Sequence, residues 1–148
     1  MALTQTSADP VAIADALRPA LLRVSRRVRK EAQKVGASAL DAMLLGEIKR
    51  QPGIGVCDLA DAEQMARPTM SSHIKRLETA GLIARASDVE DGRRSGLSIT
   101  PAGLKQLDAV RRQRNDWLAA RLAQLSAEDR AKVAAAAPVL LAMGSLES

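Results

Sequence analysis

Aromatic residues are almost missing from this chain. It has one Trp and no Phe or Tyr among 148 residues, so aromatics make up 1%. A core without rings must be filled by aliphatic side chains, which favours closely packed helices over a β-sandwich. The single Cys excludes an internal disulfide, and with only one His there is no ligand set for structural zinc. No run of about 18 apolar residues occurs, and the first residues lack the basic and apolar segments of a signal peptide. A cytoplasmic chain that does not engage a membrane is therefore expected. Catalysis lacks its materials too. There is no Ser-His-Asp set, Gly-rich phosphate loop or paired-carboxylate motif, so neither an enzyme nor a cofactor is expected.

What the chain has is positive charge and aliphatic periodicity. Lys and Arg number 22 against 17 Asp and Glu, a formal net charge of +5, and the sequence pI is about 10.0. That balance favours a polyanionic partner, although the same charge would also serve solubility. The length suits one domain or two small lobes sharing a core.

From Pro10 onward, Ile13, Leu17, Leu21, Val24 and Val28 recur at three- and four-residue steps, one face of a long helix. Pro19 lies inside it and predicts a kink or a break. Arg23, Arg26, Arg27, Arg29, Lys30 and Lys34 follow; they read either as a solvated face or as contacts to phosphates or an anionic ligand. Ser38 can cap a second helix, Ala39 to Gln51, stopped by Pro52-Gly53. Ile54 to Val56 reads as a lone short strand. Cys57 to Gln64 reads as a third helix with Leu59 and Ala60 inward and Cys57 as an inert, buried thiol.

The stretch from Pro68 to Gly103 organises the rest. Pro68 suits the first turn of a helix, where its missing N–H is no loss. Met70, Ile74 and Leu77 form one buried stripe, leaving Thr69, Ser71, Ser72, Lys75 and Arg76 off its centre, where with Arg67 and Pro68 they are the candidate DNA contacts of a recognition helix. Gly81 can end that helix in the left-handed conformation, with Leu82 packing back. Leu82 to Ser87 and Ser95 to Ile99 are short enough for paired strands, and the polar run Asp88 to Arg94 can only be an exposed turn. Thr100-Pro101 then opens a long helix to about Leu125, with Arg111, Arg112, Arg114 and Arg121 outside. Ser126 with Asp129 is a variant capping box for a last helix, which Pro138 should bend.

Two short helices with a tight turn, followed by a hairpin tipped with arginines, read as a winged helix-turn-helix built for double-stranded DNA. The expected fold is mostly α with a small β-hairpin wing. Residues 37–100 form the DNA-binding lobe; 1–36 and 101–148 together form a helical dimerisation lobe. The terminal helices have wide apolar faces that a second copy would bury, so a homodimer is expected. Its two recognition helices would then stand about one DNA turn apart on a pseudo-palindromic site.

The segment Leu77-Glu78, Gly81-Leu82-Ile83, Arg85, Asp88, Asp91-Gly92-Arg93-Arg94 and Ile99-Thr100-Pro101-Ala102-Gly103 resembles the signature of MarR-family transcriptional regulators. The resemblance implies a homodimeric DNA-binding regulator, mostly repressing and often released from its operator by small molecules. By position it places the wing arginine on Arg93 or Arg94, entering the minor groove, with Asp91 bracing it at the Gly92 turn. It places the base-reading positions from Arg67 through Pro68 and Thr69 to Ser72. Many members carry arginine where this chain has Ser72 and leucine where it has His73, so the operator sequence stays open. The family's peroxide-sensing branch needs a Cys near the first helix, and none is present there.

His73, alone on its helix, reads as a packed or phosphate-facing imidazole rather than a ligand. Trp117 reads either as core filling or as one wall of an effector pocket between the lobes. Such an effector would be a small anionic or aromatic molecule. The other reading of the whole chain is a winged helix used for protein–protein contacts or scaffolding, which would not need a basic wing tip.

Overall fold

The computed structural model describes residues 9–87 and 95–146. Helix α1 spans Pro10–Lys30 and passes into a 3-10 helix, Glu31–Val35. It is followed by α2, Ala39–Arg50; α3, Val56–Ala62; α4, Arg67–Thr79; strands β1, Ile83–Ser87, and β2, Ser95–Ile99; α5, Pro101–Leu122; and α6, Ala127–Gly144. The chain divides into two compact units, with the boundary inside α5 between Arg114 and Asn115.

In the first unit α1 and α2 start where the sequence supplies a side-chain cap. The Asp9 carboxylate accepts from the N–H groups of Val11 and Ala12, and the Ser38 Oγ accepts from the Asp41 N–H at 3.0 Å. Pro19 does not break α1: the helix runs through it unbroken, because a proline removes a single ladder bond and the flanking turns retain theirs. Gly36, at φ 79°, ends the 3-10 helix in the left-handed region.

The main core is aliphatic throughout. Leu44, Leu45 and Ile48 of α2, Leu59 and Ala60 of α3, Met70, Ile74 and Leu77 of α4, Ile83 of β1 and Leu97 of β2 form one buried cluster. A smaller cluster joins Ala32, Ala37, Ala42 and Val110. Beside it, the buried Glu31 carboxylate accepts from Gln113 Nε2 at 2.9 Å and pairs with Lys34 at 2.7 Å, tying the end of the first helical segment to α5.

β1 and β2 pair antiparallel, with Ile83 opposite Ile99 and Ala86 opposite Gly96. The expected strand at 54–56 shrinks to one bridge, Ile54 to Leu97, because Gly55 already serves as the N-cap of α3. The third helix starts at Val56 and stops at Ala62 rather than Gln64, whose φ of 51° is left-handed and turns the chain. Cys57 is exposed, not buried. In the first turn of α3 it faces outward, while Leu59 and Ala60 take the inward positions.

In the second unit, α5 ends at Leu122 rather than Leu125, since Ser126 must be extended to cap α6 through the Asp129 N–H at 3.1 Å. α6 runs unbroken through Pro138 and buries none of its residues. Trp117 is half-buried, with the Arg121 guanidinium 4.8 Å from its ring centre.

Candidate nucleic-acid interface

α3, the turn at Gln64 and α4 form the helix-turn-helix. The turn closes through the Met65 N–H, which donates to the Ala60 carbonyl at 2.9 Å, and Met65 packs against the core. α4 then begins at Arg67, one residue before the expected start, with Pro68 in its first turn and Ala66 as an N-cap that supplies no side-chain acceptor. At the other end the Leu82 N–H donates to Leu77 O at 3.0 Å and the Gly81 N–H to Glu78 O at 2.9 Å. With Gly81 at φ 75° this is the glycine stop the sequence predicts.

Met70 and Ile74 are fully buried and Leu77 is 1% exposed, which fixes the rotation of α4. Pro68, Ser72 and Lys75 stand opposite that stripe, Thr69 and Arg76 on one flank and Ser71 on the other; all six are exposed. The Ser72 hydroxyl donates to the Pro68 carbonyl at 3.1 Å, leaving its oxygen lone pairs outward. Arg67 is exposed and lies 3.7 Å from Asp61 on α3. Lys75 has no ion-pair partner among the described residues.

Arg76 is engaged differently. Its Nη1 and Nη2 donate to the two carboxylate oxygens of Asp41 on α2 at 2.9 and 2.6 Å, a bidentate fork, and Nη2 lies 3.2 Å from His73 Nδ1. The hydrogen bonds from Arg76 hold the Asp41 carboxyl below the usual carboxylate range against the opposing pull of burial, and the same fork raises the Arg76 pKa. His73 thus sits beside the guanidinium, half-buried.

The wing stem is set by backbone contacts. The Gly53 N–H donates to Leu97 O at 2.8 Å and the Leu97 N–H to Ile54 O at 2.9 Å, pinning β2 to the segment before α3. Arg85 of β1 pairs with Glu78 at 2.8 Å. Asp91, Gly92, Arg93 and Arg94, the expected wing tip, lie outside the described residues.

Away from this face, a cleft of about 450 Å³ is lined by Arg29, Ala39, Leu40, Ala42, Met43 and Arg114. Arg114 Nε is buried without a hydrogen-bond partner among the described residues. Burial, then the charge of Arg29, pulls the Arg114 pKa below its usual range. Apolar walls with two guanidinium groups make a place for an anion with a hydrophobic body.

The MarR family model matches residues 38–95, from the N-cap of α2 to the start of β2. A helix-turn-helix transcriptional regulator of Mycobacterium bovis, uncharacterized, is 35% identical over 135 residues, 88% of this chain and 92% of that one. The chain belongs to the MarR family. Among solved structures, a regulator from Pseudomonas aeruginosa described as a transcriptional regulator protein matches with a TM-score of 0.79 at 31% identity, over 93% of this chain and 96% of that one. A mutant of the S. aureus regulator MepR bound to an oligodeoxyribonucleotide shares the fold, with a TM-score of 0.68 at 23% identity over 88% and 96% of the two chains. The MarR elements are thus all present: a helix-turn-helix, a hairpin after it, and long helices at both ends. No helix among the described residues is long and apolar enough to cross a membrane.

Asp41 escaped the sequence reading, and Arg114, expected outside, is half-buried with its Nε enclosed. Asp41 looks like an ordinary first-turn acid, and its partner lies 35 positions away, beyond any local periodicity. Arg114 sits in a run of arginines whose spacing does not say which one turns inward. Neither has a local signal.

Proposed function

We propose that this chain is a homodimeric, sequence-specific DNA-binding repressor that leaves a pseudo-palindromic operator when a small anionic or aromatic molecule binds. The observation that carries the reading is the division of α4. A fully buried stripe locks its rotation, and a polar, unencumbered outer face of Pro68, Thr69, Ser71, Ser72 and Lys75 is what a major groove can accept. Arg67 stands at its leading edge, and Asp91, Gly92, Arg93 and Arg94 would reach the adjacent minor groove. The oligonucleotide in the MepR neighbour supports DNA as the ligand of this fold.

The dimer is supported by α1, which buries no residue and leaves Val11 68%, Leu22 61% and Val24 48% exposed. Segments 1–36 and 101–148 would supply the dimerisation lobe and 37–100 the DNA-binding lobe, in the cytoplasm where the operator is. The effector would use the cleft at Arg29 and Arg114, whose paired charges suit a carboxylate. Trp117, the other expected effector-pocket residue, belongs to the second unit and does not line this cleft.

Genomic fragments captured by the purified protein and sequenced should converge on one inverted repeat, bound with 10³-fold or greater preference over scrambled DNA, in line with specific regulators generally. Fragments of random sequence would exclude a sequence-specific regulator. Capture of proteins alone would favour the scaffold reading.

A further inference from the structure

Four arginines around the helix-turn-helix are already matched with acids: Arg50 with Glu47, Arg67 with Asp61, Arg85 with Glu78 and Arg76 with Asp41. The last differs in kind. Arg76 lies on the exposed flank of α4, yet both its terminal nitrogens are taken by one carboxylate of α2, whose side chain is 12% exposed against 52% for the arginine. Asp41 stands in the first turn of α2, where its backbone N–H donates to the Ser38 Oγ at 3.0 Å.

We propose that Asp41 is a positioning residue that holds Arg76 off the DNA backbone, so that the guanidinium locks α4 to α2 instead of adding sequence-independent affinity. A free arginine on a DNA-facing helix neutralises phosphate whatever the sequence, and each such contact adds about 0.9 to the slope of log Kobs against log salt. Held on Asp41, with its charge offset at 2.6 Å, Arg76 contributes to neither. Affinity for operator and bulk DNA is then lowered alike, and the base contacts of α4 make up a larger share of what remains. This rests on α4 being the DNA-reading helix.

The test uses the full chain and a scrambled 30-base-pair duplex, titrated at several salt concentrations. Asp41→Asn should bind the duplex more tightly at low salt, with a slope steeper by about 0.9 per bound protomer as Arg76 is released. Arg76→Gln, which keeps an amide donor for Asp41, should leave the wild-type slope unchanged, and the double variant should return to it. A simple effect of net charge would instead move the two single variants by equal amounts in opposite directions, and that outcome overturns the proposal. So does an Asp41→Asn slope equal to wild type, or an Arg76→Gln slope lower by about 0.9. If circular dichroism shows Asp41→Asn to be unfolded, Arg76→Gln decides alone by the same criterion. Wild-type protein that binds no duplex would overturn the DNA reading and this proposal together, whereas wild-type binding with an unmoved Asp41→Asn slope sinks this proposal only.

Discussion

A methyl group on Gly103 would lie 2.2 Å from the carbonyl oxygen of Leu82. Here the first turn of α5 passes directly over the chain leaving α4, with no room for any side chain. Around this crossing the Thr100 N–H donates to Leu82 O at 3.1 Å, while the Thr100 hydroxyl donates to Gly81 O at 2.6 Å and accepts from the Gly103 N–H at 3.1 Å. The end of α4 and the start of α5 are therefore one junction. An Ala there must displace backbone rather than a flexible side-chain tip.

Gly103→Ala should accordingly destabilise the protein by about 1–3 kcal/mol or more through overpacking. Urea unfolding followed by circular dichroism reads this directly. A midpoint unchanged from wild type would show that the crossing is not tight.

The Asp41–Arg76 fork makes an acid-side prediction. The folded-state pKa of Asp41 is below its free value of 3.8, so the pair's stabilisation is whole at neutral pH and is lost as pH falls through 3.8 toward the folded value. His73 and Ser38 also face this pair, so the comparison is made with His73→Gln in both proteins. The melting-temperature difference between that protein and its Asp41→Asn derivative should hold steady from about pH 7 to about pH 5 and shrink below about pH 4. A gap that widens in acid would contradict the assignment.

On the DNA face, helix and wing should divide the work. Thr69→Ala or Ser72→Ala should cost on the order of 1–3 kcal/mol at the cognate site and relax preference at particular base pairs. Lys75→Ala and Arg93→Ala should weaken many sequences by similar factors, the salt slope falling by about 0.9 per lost phosphate contact. Binding to operator and scrambled duplexes over a salt series checks all four. Uniform losses from the helix variants, with sequence preference lost only in the Arg93 variant, would reverse the roles.

The exposed apolar side of α1 should be where the second copy sits. Val24→Asp would place a charge in that interface and should shift sedimentation from dimer to monomer. A dimer that survives at micromolar concentration would move the interface elsewhere.

Much of this protein was readable in its residue order because the relevant physics is local. Met70, Ile74 and Leu77 announce their own stripe, Gly81 its left-handed stop, Ser38 and Ser126 their caps, and Thr100-Pro101 a helix start. Each depends on neighbours within a turn or two, so periodicity and capping chemistry suffice. Helix-turn-helix, hairpin and the family itself follow from such signals in sequence. What needed the tertiary structure is whatever depends on distant segments meeting. Cys57 faces outward because Leu59 and Ala60 claim the contact with the core. Arg76 is tied down because α2 brings Asp41 to it, and Arg114 turns into a cleft beside Arg29. Long flexible charged side chains carry no periodic mark of their partner; only the packed backbone decides which acid or which cleft each one reaches.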